Sequence, residues 1–250
     1  MFGLFKSKSR RRLPVVPHAT RVYAIGDIHG RLDLLEHIEE MIQRDVDQGG
    51  PDRRVVVYLG DYVDRGMEAR QVTERLMARA LNGFELVHLK GNHEEFLLQF
   101  LEDARIGPGW LRNGGNTTLY SYGVRPPERA TDLAALERAR LEFKRKLPPH
   151  HLDFYRNLAL SHVEGDYLFV HAGIAPGRPL DRQEPNDLLW IRDEFLQSDA
   201  DHGKLVVHGH TIVEEPDVRS NRIGIDTGAY ATGRLTALVL EGDTQRYLQT

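Results

Sequence analysis

The chain has 250 residues, enough for one large domain or two small ones. It is 40% hydrophobic and 28% charged, the balance of a soluble globular protein, and its formal net charge of −4 gives no global basic field that would favour nucleic acid. The absence of cysteine excludes disulfides and thiolate zinc sites.

The apolar start, Met-Phe-Gly-Leu-Phe, is too short for a signal-peptide core and precedes the basic residues instead of following them. No later segment could span a bilayer, so a cytoplasmic protein is the simplest expectation. Lys6, Lys8, Arg10, Arg11 and Arg12, followed by Pro14 and Pro17, make residues 1–20 read as a disordered basic tail. Residues 21–250 read as a single domain, since no linker divides them.

An apolar run over 22–25 reads as a strand. Leu32, Leu34, Leu35, Ile38, Met41, Ile42 and Val46 then recur at helical spacing until Gly49-Gly50-Pro51 stops them. A strand over 53–59 has the continuous apolar character of one covered on both faces. Val72, Leu76, Met77 and Ala80 mark a second helix, 84–90 a third strand, and 94–101 the start of a third helix. This alternation argues a parallel core. Residues 104–130, with Gly107-Pro108-Gly109 and Asn113-Gly114-Gly115-Asn116, read as a long loop and a candidate substrate cover. A charged helix over 132–146 ends at Pro148-Pro149. The second half is richer in strands: a hairpin over 158–163 and 167–170, then 205–207, 222–225, 235–240 and an edge strand over 245–248. The two halves read as two sheets sharing one core.

Polar residues cluster where these strands end. Gly26-Asp27-Ile28-His29-Gly30, Gly60-Asp61-Tyr62-Val63-Asp64-Arg65-Gly66 and Gly91-Asn92-His93-Glu94 follow the first three strands. His171-Ala172-Gly173 and His208-Gly209-His210-Thr211 follow two later ones. Open α/β sheets gather their ligands at such strand ends. Asp, His and Asn offer oxygen and nitrogen donors to a hard or borderline cation, which points to a two-metal site for phosphate ester hydrolysis.

Taken together, GDIHG, GDYVDRG, GNHE, VHAG and GHT, in this order and over nearly the whole chain, resemble the phosphoprotein-phosphatase branch of the metallophosphoesterases. The resemblance implies an α/β fold, a four-layer α-β-β-α sandwich with a dinuclear centre at the sheet edges. It implies Asp27 and His29 as ligands of the first metal, Asp61 as the bridging carboxylate, and Asn92, His171 and His210 as ligands of the second. It implies His93 and Asp64 as the catalytic pair, and Arg65 and Arg192, with Asn92, as the groups that bind the substrate phosphate. The stretch Trp110 to Tyr122 is similar to a loop of bacterial serine/threonine phosphatases. The eukaryotic SAPNYC-type segment is missing, so no regulatory subunit is implied. Diadenosine tetraphosphate hydrolases share the same motifs.

Two divalent ions held by two carboxylates, Asp27 and Asp61, keep a net positive charge that suits a phosphate dianion. A bridging carboxylate can hold two ions roughly 3.5–4 Å apart and provide a metal-bound hydroxide for in-line attack on phosphorus. Imidazole donors argue against Mg²⁺ and Ca²⁺ and leave Mn²⁺, Fe and Zn²⁺ as candidates, among which the donor types do not choose; Mn²⁺ is the expected ion. His93, steadied by Asp64, would protonate the leaving group as general acid. The expected substrate is a phosphoserine or phosphothreonine monoester in a protein or peptide, with phosphotyrosine accepted if the site is shallow. The alternatives are symmetrical diadenosine tetraphosphate hydrolysis and a catalytically silent scaffold, although every expected position is filled. His88, His162 and His208 read as hydrogen-bonded structural histidines, and His37, His150, His151 and His202 as surface residues. Asp226 reads either as a group orienting a ligand or as a turn residue. Trp110 and Tyr122 suit packing better than stacking on substrate.

Overall fold

The computed structural model describes residues 13–250. In chain order its elements are β1 (Thr20–Ile25), α1 (Leu32–Asp47), β2 (Arg53–Tyr58), α2 (Ala69–Met77), β3 (Glu85–His88), α3 (Asn92–Glu102), α4 (Gly107–Arg112), α5 (Gly115–Ser121), α6 (Leu133–Lys146), α7 (Pro149–Arg156), β4 (Ser161–Glu164), β5 (Tyr167–Val170), α8 (Pro185–Trp190), α9 (Asp193–Leu196), β6 (Leu205–His208), β7 (Asp217–Val218), β8 (Arg222–Gly224), α10 (Ala229–Thr232), β9 (Thr236–Glu241) and β10 (Thr244–Gln249). The strands form two five-stranded sheets, in the orders β10-β9-β1-β2-β3 and β4-β5-β6-β8-β7.

The side-chain period of two explains the layers. Val22 and Ala24 of β1, Val55 and Val57 of β2, and Leu238 and Leu240 of β9 face inward. There they meet Tyr167, Phe169, Val207 and Ile223 of the second sheet. The alternate residues Tyr23, Ile25, Val56, Tyr58, Ala237 and Val239 face outward, onto the apolar stripes of α1, α2, α3 and α6. On the far side, Leu168, Val170 and Val206 pack under Leu188 and Phe195 of α8 and α9. The result is the expected α-β-β-α sandwich. Strands β1 and β2 read as continuously apolar because both of their faces are covered.

The β1-β2-β3 core is parallel. The sheets do not divide by chain halves, however. The C-terminal hairpin β9-β10 returns to pair antiparallel with β1, placing β10 as an edge of the first sheet. The strand expected over 158–163 starts only at Ser161, because residue 159 makes just a single bridge to Leu89. Pro148-Pro149 ends one helix and opens the next, since proline at the first helical position gives up an N–H that has no partner there anyway.

Two further expectations are corrected. The tail read over 1–20 does not extend that far: Val16 is buried between the sheets and its N–H reaches Gly242 O at 3.1 Å, while Val15 N–H donates to Asp166 Oδ2 at 3.0 Å. Its basic residues, Lys6 to Arg12, lie outside the described residues. Nor is 104–130 a long loop. It holds a 3₁₀ turn at Ala104–Ile106 and then α4 and α5, joined through Gly114 at φ +101°. The glycines that suggested a loop permit close packing: a Cβ on Gly115 would fall 2.4 Å from the Trp110 ring, and one on Gly107 2.4 Å from Leu136.

Candidate metal centre

The five polar stretches converge where the strands of both sheets end. The turn after β2 is tied down by Glu94, a fully buried carboxylate at the start of α3. Its Oε2 accepts the N–H groups of Asp61 and Gly91 at 2.9 Å each, and its Oε1 those of Tyr62 at 2.7 Å and Val63 at 3.2 Å. Burial, followed by the nearby Asp61 charge, outweighs these bonds and pushes the Glu94 pKa up to about 7. The sequence displays Glu94 within GNHE, but its role depends on backbone donors about 30 residues upstream.

The non-glycine residues His29, Asp61, Asp64, Arg65 and His210 all hold φ between +47° and +70°. This conformation costs of order 1 kcal/mol or more per residue and gathers at functional sites. All five belong to the polar stretches that follow the strands.

His29 Nδ1 lies 2.9 Å from Val63 O and His171 Nδ1 2.9 Å from Leu59 O. A carbonyl only accepts, so both Nδ1 atoms carry the hydrogen and both Nε2 atoms present lone pairs. His29 Nε2 is buried without a hydrogen-bond partner, 3.5 Å from Asp61 Oδ2. His171 Nε2 stands 2.9 Å from Asn92 Oδ1 and 3.5 Å from Asp61 Oδ1, and His210 Nδ1 is 2.9 Å from the same Asn92 oxygen. Donor atoms of His29, Asp61 and His93, and of Asp61, His171 and His210, gather within 4.8 Å in two sets that share Asp61.

The charges favour a cation. Burial, then the neighbouring histidines, pushes the His29 pKa down to about 3 and that of His210 to about 2, and burial also lowers that of His171, so all three stay neutral. Burial opposes the Asp61 charge, but the positive charge that His93 carries beside it holds the Asp61 pKa below the usual carboxylate range. Asp27 is driven well above its ordinary value by burial, Asp226 and Asp61, and burial takes Asp226 up to about 6. Neutral imidazole lone pairs, an amide oxygen and crowded buried carboxylates fit divalent ions that accept both nitrogen and oxygen. Asp27 lies outside both donor sets; its oxygens accept the His210 N–H at 3.0 and 3.2 Å.

Beside these donors, His93 Nδ1–H donates to Asp64 Oδ2 at 2.6 Å, and its Nε2 faces Asp61 Oδ2 at 3.8 Å. Burial opposes the His93 charge, but Asp61 and the bond to Asp64 prevail, and its pKa is raised. Arg65 Nη2 is 3.4 Å from His93 Nε2, and its guanidinium lies 4.5 Å over the Tyr230 ring. Arg192 is exposed and donates from Nη1 to Thr211 Oγ1 at 3.4 Å.

The remaining histidines differ from expectation in part. His162 pairs with Glu164 at 3.3 Å. His88 stacks flat on Tyr58 and leaves Nε2 without a partner; His208 bonds Gly209 O through Nδ1 and leaves Nε2 unpartnered. His151 is buried, not a surface residue, because Tyr122 Oη meets its Nδ1 at 2.8 Å in the core. Trp110 and Tyr122 are buried packing residues. Asp226 accepts the Gly228 N–H beside Asp27.

Comparison with known proteins agrees with this geometry. A curated relative, the asymmetrical bis(5′-nucleosyl)-tetraphosphatase PrpE of Bacillus thuringiensis, is 26% identical over 228 residues, 86% of this chain and 88% of that protein. Among solved structures, a diadenosine tetraphosphatase homologue superposes with a TM-score of 0.59 at 21% identity, covering 95% of this chain and 98% of its own. A protein serine/threonine phosphatase from Saccharomyces cerevisiae superposes with a TM-score of 0.51 at 14% identity, covering 92% of this chain and 79% of its own. At these identities the superpositions speak for the fold. Residues 20–238 match the calcineurin-like phosphoesterases, and with that span of agreement the chain belongs to the calcineurin-like phosphoesterase family.

Proposed function

We propose that the protein is a metal-dependent phosphatase acting on phosphoserine and phosphothreonine monoesters, with His93 as general acid. The observation that carries this reading is the 2.6 Å bond between His93 Nδ1 and Asp64 Oδ2. A serine or threonine alkoxide is a poor leaving group and needs a proton as its bond to phosphorus breaks. Asp64 fixes the hydrogen on Nδ1, so Nε2, on the side of Asp61 and Arg65, is the atom that delivers a proton. A nucleotide phosphate leaving from a dinucleoside polyphosphate is stable as an anion near neutral pH and gains little from such a donor.

Asp27, His29 and Asp61 would hold one ion, and Asp61, Asn92, His171 and His210 the other. When bound, the ions would supply Lewis acidity and activate water at neutral pH. The mixed donor set admits Mn²⁺, Fe or Zn²⁺, and of these we take Mn²⁺ as the working ion. Arg65 and Arg192 would bind phosphate oxygens, with the Tyr230 ring, 4.5 Å from the Arg65 guanidinium, steadying it. Among the described residues no helix is long and apolar enough to cross a membrane.

A second reading, dinucleoside tetraphosphate hydrolysis, is favoured by the name of the Bacillus relative. Aromatic rings on two sides of the centre also suit it: Trp190 at 6.4 Å from the His210 ring and Tyr230 at 5.5 Å from the His29 ring could each stack a base. The test is kcat/KM of the Mn²⁺-loaded protein on a phosphothreonine peptide, a phosphotyrosine peptide and diadenosine tetraphosphate. A dinucleotide value about tenfold above the best phosphopeptide, about 1.4 kcal/mol of transition-state preference, would overturn the first reading.

A further inference from the structure

Asp64 is fully buried, yet it sits on a left-handed backbone at φ +70°, followed by Arg65 at φ +65°. Its side chain meets three donors. His93 Nδ1 and Trp110 Nε1 reach Oδ2 at 2.6 and 2.8 Å, and Thr118 Oγ1 reaches Oδ1 at 2.6 Å. The Thr118 hydroxyl also accepts the Asp64 N–H at 2.9 Å, using its one hydrogen and one of its lone pairs on the same residue. Trp110 and Thr118 are fully buried, on α4 and α5. The Trp110 ring is held by Phe100 at 4.8 Å and Phe143 at 6.0 Å. Gly114 O accepts the Arg65 N–H at 3.3 Å, and a Cβ on Gly114 would fall 2.7 Å from that nitrogen. The α4-α5 turn therefore presses directly against the Asp64-Arg65 backbone.

We infer that Trp110 and Thr118 are positioning residues, a clamp that holds Asp64, and through it the His93 ring, in the orientation needed for proton delivery. The inference rests on the reading of His93 as general acid. A carboxylate with free torsion could rotate away from Nδ1. With an indole N–H fixed on one oxygen and a hydroxyl on the other, its plane is set, and the ring that donates to it is set with it. The pair α4-α5 is then a buttress behind the dyad, not a cover in front of it. Its sequence follows from that duty: Gly115 makes room for the Trp110 ring, and Gly114 lets the turn approach the strained backbone.

The test uses the full-length protein and the variants Thr118→Val, Thr118→Ser and Trp110→Phe. Thr118→Val is isosteric, which keeps the test open should Trp110→Phe fail to fold. Loss of either partner should lower kcat on a phosphothreonine peptide about 10–100-fold, the usual cost of removing a hydrogen-bond partner behind a functional side chain. KM should stay within about twofold, and p-nitrophenyl phosphate, whose leaving group scarcely needs a proton, should lose about threefold or less. Thr118→Ser should restore most of the peptide rate. Equal losses on both substrates, or a loss confined to KM, would overturn the clamp. An independent readout is the hydrogen-bonded His93 Nδ1–H resonance in ¹⁵N-histidine-labelled, Zn²⁺-saturated protein, assigned by its loss in His93→Asn. It should be sharp in the parent and broadened or missing in Thr118→Val; an unchanged signal there would overturn the clamp. Should His93→Asn itself lose equally on both substrates, the acid reading fails, and the resonance alone then upholds or overturns the clamp.

Discussion

His88 offers a test in which sign and size both follow from the structure. Its ring lies parallel to Tyr58 at a centroid distance of 4.9 Å, with Phe154 edge-on at 5.3 Å, and its Nε2 has no hydrogen-bond partner. Burial, then Arg79, pushes its pKa down to about 4. In the unfolded chain it returns to about 6.5. Between these values the unfolded state binds a proton that the folded state refuses, so this residue's contribution to stability is intact above about 6.5 and is lost as pH falls toward 4. One pH unit below 6.5 the loss is about 1.4 kcal/mol, and at pH 5 it is about 2 kcal/mol. His88→Phe keeps the ring stack and removes the titration. Any packing change should appear equally at pH 7.5 and pH 5.5, whereas the protonation part should appear only at the lower pH. Urea unfolding of both proteins at the two pH values measures the difference. The variant should gain about 1.4 kcal/mol on the parent between pH 7.5 and 5.5, or roughly 3–6 °C in Tm for a chain of this length. A stability difference that stays constant within about 0.3 kcal/mol across that interval would refute the account of a half-buried, neutral His88 whose Nε2 is shielded from solvent.

Four further outcomes concern the centre. Chelation should abolish turnover and Mn²⁺ should restore it best; full activity in protein shown by elemental analysis to be metal-free would remove the metal assignment. Asp61→Asn should lose both ions, because both donor sets share that carboxylate, whereas a variant retaining two ions per chain would contradict the bridge. His93→Asn should keep the metals and lose about 10²–10⁴ in kcat on a phosphothreonine peptide but far less on p-nitrophenyl phosphate. Gly209→Ala would place a Cβ 2.0 Å from Asp27 Oδ1, and it should displace that carboxylate and cost one ion per chain without unfolding the protein, as read by elemental analysis and circular dichroism.

The strands and their polar ends were legible because their signals are local. The continuous apolar runs of β1 and β2 fit strands covered on both faces, and each expected donor follows its strand within a few residues. What stayed hidden depends on partners distant in sequence. Glycine and asparagine at 107–116 argue locally for a loop, and helix formation there is imposed by packing against Phe100, Leu136 and the Asp64-Arg65 backbone. Trp110 and Thr118 meet Asp64 across 46 and 54 residues, and His151 meets Tyr122 across 29. No periodicity encodes such pairings. The tail was overextended because Pro14 and Pro17 look like the punctuation of a flexible arm, while the buried Val16 between them is a single residue without a pattern.

The return of β9 to the edge of β1 governs how the molecule is born. On a ribosome, β1, β2 and β3 emerge early, but β1 then shows a bare edge until its partner appears 220 residues later, at the pairing of Arg21 with Glu241. Asp27 likewise waits 183 residues for the His210 amide. Ring closures this long are slow, and the waiting edge invites sticking to a neighbouring nascent chain. No N-terminal fragment that stops short of His210 can bring the Asp61, His171 and His210 donor atoms together, so that group forms only once synthesis has passed His210.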